Sequence, residues 1–174
     1  AEIDFPEGTS PYGDDVYAQA VANFERLKKE APLQIEDAPA LYVYRQRMGA
    51  HSQVGLAGCF AVDDYDRGVI RKHEHTRRDK EDDRTRHIVQ LRAQTGVVFL
   101  TYRADRTVDA LARQVSAGEA LYDFGAPDGV RHTIWRAGLD QTEQLVNAFT
   151  RIPALYIADG HHRAASAARA REEL

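Results

Sequence analysis

The stretch YIADGHHRAASAARA, residues 156–170, sets two elements of different period back to back. ALYIA is a short apolar run with β-rich side chains, and everything after Asp159-Gly160 is rich in the strongest helix formers. An apolar strand that turns through Asp-Gly directly into a helix commits the chain to a fold in which helices pack on a sheet. His161 and His162 then stand at the strand-to-helix junction, with Arg163 one residue on. A helix entered through a glycine is a ready anion site, because its first N–H groups lack intrahelical partners and the helix dipole points the same way. The Arg163 guanidinium adds a planar fork suited to two phosphate oxygens. Phosphate is therefore the natural ligand of Asp159, Gly160, His161, His162 and Arg163. The alanines Ala164, Ala165, Ala167 and Ala168 are expected to let this helix sit close against the sheet.

The rest of the 174-residue chain reads as mixed α/β. Residues 14–30 place Val16, Ala20, Phe24 and Leu27 on one stripe, with Asp at the start and Lys at the end. This predicts an amphipathic helix closed by Pro32. ALYVYRQ and QVGLAGCFAV, separated by RMGAHS, read as a hairpin. Asp66-Arg67-Gly68 offers a tight turn before a short strand at Val69 and Ile70. Thr76-Arg-Arg-Asp79 fits a capping box, so a helix is expected from near Arg77 through Ile88, Val89 and Leu91 to a terminator at Gly96. Then come a strand VVFLTY, a helix near residues 107–117, a hairpin turning at Pro127-Asp128-Gly129, and a helix capped by Asp140 with Glu143 that ends near Arg151. The pattern suggests one mixed sheet covered by helices in a single domain spanning residues 1–174. The absence of a starting Met and the unterminated helical end suggest a piece of a longer chain.

Charge and composition narrow the function classes. The formal net charge is −4, which argues against a nucleic-acid partner held by bulk charge. No apolar run is long enough to span a membrane. A lone cysteine, Cys59, excludes an internal disulfide framework and multi-cysteine zinc, so a cytoplasmic location is the default. Residues 71–87, RKHEHTRRDKEDDRTRH, read for the most part as a solvated helix face laced with opposite charges. Within them, KHE falls in the loop before a helix N-terminus. There Glu74 beside His73 has the chemistry of a general base or a Mg²⁺ ligand, and equally of a surface charge. The junction motif has plainer readings too, with Asp159 a simple N-cap and both histidines packed. A metal site drawing on His73, His75, His161 and His162 lacks any H-x-x-x-H or cysteine pair to give it spacing.

ADGHHRAASA resembles the DGHHR motif of the free serine kinases known as SerK, of the ParB/sulfiredoxin-like fold. The ordered string YVYRQ, GLAGCFAVDDYDRGVIRKHEHT, KEDDRTRH, VVFLTY and YIADGHHR resembles a bacterial family labelled domain of unknown function 1015, itself placed near SerK. The resemblance implies a ParB/sulfiredoxin-like core over residues 66–103 and 154–174. Residues 104–153, a helix–hairpin–helix insertion, are where substrate choice is expected to lie. It also implies family members longer at both ends. In SerK-like proteins a His-Glu pair after a short strand acts on the substrate hydroxyl, and His73 and Glu74 match it. The expectation is an adenine-nucleotide-binding protein that transfers phosphate to a small hydroxyl compound, with Mg²⁺ and ADP or ATP as cofactors. Glu74 or Asp159 would hold the ion. Serine is not carried over as the acceptor, and homo-oligomer formation is left open. Two other classes stay open: a nucleotide-binding regulatory module without turnover, and a metal-dependent phosphoesterase.

Overall fold

A computed structural model describes residues 4–31 and 33–174. Pro32, the expected stop of the first helix, lies outside the described residues. Backbone contacts divide the chain into two compact units, one of Ala1–Ile35, Ala61–Thr101 and Ala154–Leu174, the other of Glu36–Phe60 and Tyr102–Pro153. The single mixed sheet expected from sequence is in fact two sheets, one in each unit. Among the described residues no helix is long and apolar enough to cross a membrane.

The first unit is built on β7 (Leu155–Asp159), the middle strand of three. On one side β3 (Ile70–Arg71) pairs with it in parallel, Ile70 opposite Leu155 and Arg71 opposite Tyr156. On the other side β4 (Phe99–Thr101) runs antiparallel, with an irregularity between Phe99 and Leu100. Four helices belong to this unit: α1 (Asp14–Glu30), a short α2 (Val62–Asp66) not foreseen from sequence, α3 (Arg78–Leu91) and α6 (His161–Glu173). Helix α6 packs chiefly on α3, not on the sheet as its alanines suggested. Ala165, Ser166 and Ala170 are its buried residues after His161, whereas Ala164, Ala167 and Ala168 are half-buried. Small side chains let the two helix backbones approach, and the Ser166 hydroxyl donates to the Glu81 carbonyl at 3.2 Å.

The charged run is solvated, as expected, in that none of its charged side chains is buried, but some of its charges also pair with other helices. Helix α3 has neighbours on two sides, so its charges pair across helices. Arg169 of α6 reaches Glu81 at 3.3 Å and Asp82 at 2.6 Å. On the other side Arg86 pairs with Asp14 and lies over the Tyr17 ring. Tyr17, not Leu27, is the buried residue of α1; Leu27 is half exposed. Both expected punctuation marks of α3 fail. Thr76 hydrogen-bonds Glu81 instead of capping, and the N-cap is Arg77 with no side-chain bond. The helix ends at Leu91 because Arg92 takes a left-handed conformation, φ 53°, before Gly96 is reached.

The second unit is an antiparallel sheet in the order β2 (His51–Ala57), β1 (Tyr42–Met48), β6 (Arg131–Arg136), β5 (Tyr122–Gly125). Both hairpins expected from sequence are present, the first turning through Gly49 and the second through Gly129, each at positive φ. Helices α4 (Arg106–Ser116) and α5 (Leu139–Phe149) complete this unit. Its core gathers Val43 and Trp135 from the sheet with Val108, Leu111, Val115, Leu145 and Ala148 from the helices. Asp105 caps α4 through the N–H groups of Thr107 and Val108. The expected cap of α5, Asp140, lies inside its first turn; Gly138 is the N-cap, and its N–H donates to the Gln141 side chain at 3.0 Å.

The Tyr17 hydroxyl donates to Asp83 Oδ1 at 2.6 Å. Burial, and then this carboxylate, push its ionisation up to about 12. An unfolded tyrosine ionises near pH ~10. Because the folded value is the higher one, its contribution is complete below pH ~10 and is lost as pH rises toward the folded value. The free energy of urea unfolding is therefore expected to fall between those limits, and Tyr17→Phe to show a shallower fall. Equal slopes in both proteins would exclude Tyr17 as the source.

Candidate functional site

Parallel pairing of β3 and β7 makes both strands leave the sheet at the same edge. Three residues beyond the last paired positions, Arg71 and Tyr156, stand Glu74 and Asp159. The strand β7 then turns through Gly160, φ 97°, ψ 33°, into α6. The His161 to Arg163 N–H groups donate to no acceptor among the described residues, and the first helical bond runs from Ala164 N–H to the Gly160 carbonyl at 2.9 Å. Three donors are thus free at the start of a helix whose dipole favours an anion.

Glu74 meets His161 directly at this edge. Its Oε2 lies 3.5 Å from His161 Nδ1, and its Oε1 lies 3.9 Å from His73 Nε2. The His73 and His161 rings stand edge to face with centroids 4.5 Å apart. His161 is anchored, its side chain only 4% exposed, while His73 and Glu74 are open to solvent at 63% and 62%. The other ring nitrogen of His161, Nε2, is buried with no hydrogen-bond partner among the described residues. Glu74 and His161 therefore lie directly against each other.

The remaining motif residues are tied to their surroundings. His162 accepts the Arg77 N–H on Nε2 at 3.1 Å, which fixes the loop before α3 to the first turn of α6. The Arg163 guanidinium folds back to pair with Asp159. It passes so close over Gly160 that a Cβ there would lie 2.7 Å from Arg163 Nε. Its stem runs along Gly96, where a Cβ would lie 2.9 Å from Cδ. Beyond it is a recess of about 140 Å³ lined by Arg84, His87, Thr95 and Gly96 among others, with no carboxylate in its lining. Sequence reasoning missed this recess. Arg84 and His87 share a face of α3 by their spacing, but nothing local shows that the face meets Arg163.

Of the two expected ion-holding carboxylates, Glu74 is grouped with His73 and His161, and Asp159 is not part of that group. Asp159 is committed to Arg163 instead. His75 and His162 also lie outside the group.

Gly160→Ala is expected to cost about 1–3 kcal/mol of stability, the price of holding a non-glycine residue at such a φ, and to displace the Arg163 head. Urea unfolding measures the first effect. An unchanged midpoint would mean that the turn relaxes freely.

A family model described as protein of unknown function (DUF1015) matches residues 1–174. No curated protein and no solved structure matches the chain.

Proposed function

The chain belongs to the DUF1015 family, and we propose that it is an adenine-nucleotide-binding protein that transfers phosphate to a small hydroxyl compound, with a SerK-like, ParB/sulfiredoxin-like core. The observation that carries this reading is the meeting of Glu74 with His161 at the start of α6, beside three unpaired N–H groups. A carboxylate able to take a proton and a cluster of donors able to hold phosphate oxygens thus stand side by side. The basic recess at Arg163 supports an anionic ligand further.

In this mechanism the N–H groups of His161, His162 and Arg163, with the Arg163 guanidinium, hold the transferred phosphate. Phosphoryl transfer asks little covalent chemistry of the protein, so positioning and positive charge at the phosphate oxygens supply most of the catalysis. Glu74 takes the proton of the acceptor hydroxyl as that oxygen bonds to phosphorus and the bond to the leaving nucleotide breaks. Exposure of Glu74 leaves it accessible to an acceptor arriving from solvent. Mg²⁺ prefers a cage of oxygens, and the groups around Glu74 are two imidazoles. It would therefore enter on the phosphates of ADP or ATP, where it offsets their charge.

Arg163→Ala is expected to weaken ADP binding by about 1.5–3 kcal/mol, the scale of a hydrogen bond to a charged group. Calorimetry showing equal affinity would remove Arg163 from the phosphate site. Glu74→Gln keeps shape but loses the basic carboxylate. Nucleotide affinity should stay within a few-fold, while transfer or hydrolysis falls by about 10²–10⁴. Turnover that survives the substitution would favour a regulatory nucleotide-binding module over an enzyme.

A further inference from the structure

We propose that His73, Glu74 and His161 form a three-ligand site for a divalent first-row transition ion, with Zn²⁺ as the type case. This goes beyond the nucleotide reading and does not require it. One ligand atom from each of the three side chains lies within 4.8 Å of the other two. Ligand atoms bound tetrahedrally to zinc stand about 3.4 Å apart, given bonds of about 2.0–2.1 Å. Glu74 Oε2 stands 3.5 Å from His161 Nδ1, already close to that spacing, and the other carboxylate oxygen, Oε1, stands 3.9 Å from His73 Nε2. Closure from separations of up to 4.8 Å requires rotation of two exposed side chains about one anchored histidine.

The chemistry of the donors selects the ion. Two imidazoles and one carboxylate suit zinc or its neighbours, and suit Mg²⁺ or Ca²⁺ poorly. Three protein ligands on a solvent-exposed edge leave a coordination position for water or substrate, the pattern of reactive zinc sites. The state of His161 is a second, independent observation. It is nine-tenths buried, its Nδ1 lies 3.5 Å from Glu74, and its Nε2 has no hydrogen-bond partner among the described residues. An ion on Nδ1, the nitrogen that faces Glu74, would give this ring a ligand bond on its polar side, while Nε2 would stay turned into the protein. A carboxylate binding through one oxygen keeps the other free, so the ligand role of Glu74 is compatible with accepting a proton. An ion here would sit beside the free N–H groups of α6, where it can polarise an oxygen of a bound phosphate or acceptor.

The spacing of residues 73, 74 and 161 in sequence carries no metal signature. Only the β3–β7 pairing brings them together.

The test titrates Zn²⁺ into the full chain by calorimetry, without nucleotide and against a competing chelator. One ion per chain is expected. His73→Ala and Glu74→Gln, at exposed positions and checked for folding by circular dichroism, should each weaken binding by at least about tenfold. His51→Ala, on β2 in the other unit, should not change it. Failure of the wild-type chain to bind one ion, or undiminished binding in either site variant, overturns the proposal. ADP binding measured on the same samples without zinc separates the two readings. Zinc lost with ADP retained removes the metal site alone, and zinc retained with ADP absent removes the nucleotide reading alone.

Discussion

The parallel pairing of β3 with β7 is the constraint on which the candidate site depends. It involves few residues, Ile70 and Arg71 against Leu155 and Tyr156. Its consequence is large, because parallel strands deliver their outgoing chains to one edge. An antiparallel pairing of the same segments would send the His73-Glu74 loop and the Gly160 turn to opposite ends of the sheet. The pairing is secured by burial: Ile70, Leu155 and Ile157 are all buried, and the Val69 carbonyl accepts the Leu155 N–H at 2.9 Å. A hydrophobic contact in the sheet thus determines which polar groups meet at its edge.

Helix packing then fixes the direction in which α6 offers its free donors. Arg169 is held by Glu81 and Asp82 of α3, and Arg171 by Asp63 and Asp66 of α2. Such pairs between exposed side chains add little stability each. Their contribution here is register, because they tie the far end of α6 to two other helices while Ser166 and the buried alanines close the gap to α3. At the near end His162 holds the Arg77 N–H, so the loop carrying His73 and Glu74 is bound to the helix that carries His161. Part of the charge in residues 71–87, at Glu81, Asp82, Asp83 and Arg86, is accounted for by this position between α1 and α6.

Much of the local structure was legible in sequence. The bounds of α1, both hairpins and the strand–turn–helix at residue 160 follow from periodicity, turn residues and helix propensity. The errors fall where distant contacts override local signals. Arg92 ends α3 in a left-handed conformation that favours glycine, although Gly96 waits nearby. Thr76 has the sequence of a cap but bonds Glu81 through its hydroxyl. The residues of the site were named from sequence and the SerK resemblance set them in one site, but their direct contacts were not foreseen: Arg77 and His162, for one, are 85 positions apart, and no local pattern encodes such a contact. The metal-type cluster was hidden for the same reason: its third member comes from the other end of the chain.

The Asp159–Arg163 pair raises the question of why a carboxylate stands at the mouth of a helix suited to anions. Left unpaired, it would repel a phosphate. Paired, it holds the guanidinium across the turn, close over Gly160. Gly160 makes this possible in two ways, through its φ of 97° and through the missing Cβ that would otherwise press on the guanidinium. On the proposed reading a phosphate would meet an arginine already held in place, with little side-chain freedom left to lose on binding. Asp159 acts in this arrangement as the residue that positions Arg163, which accounts for its standing apart from the cluster around Glu74.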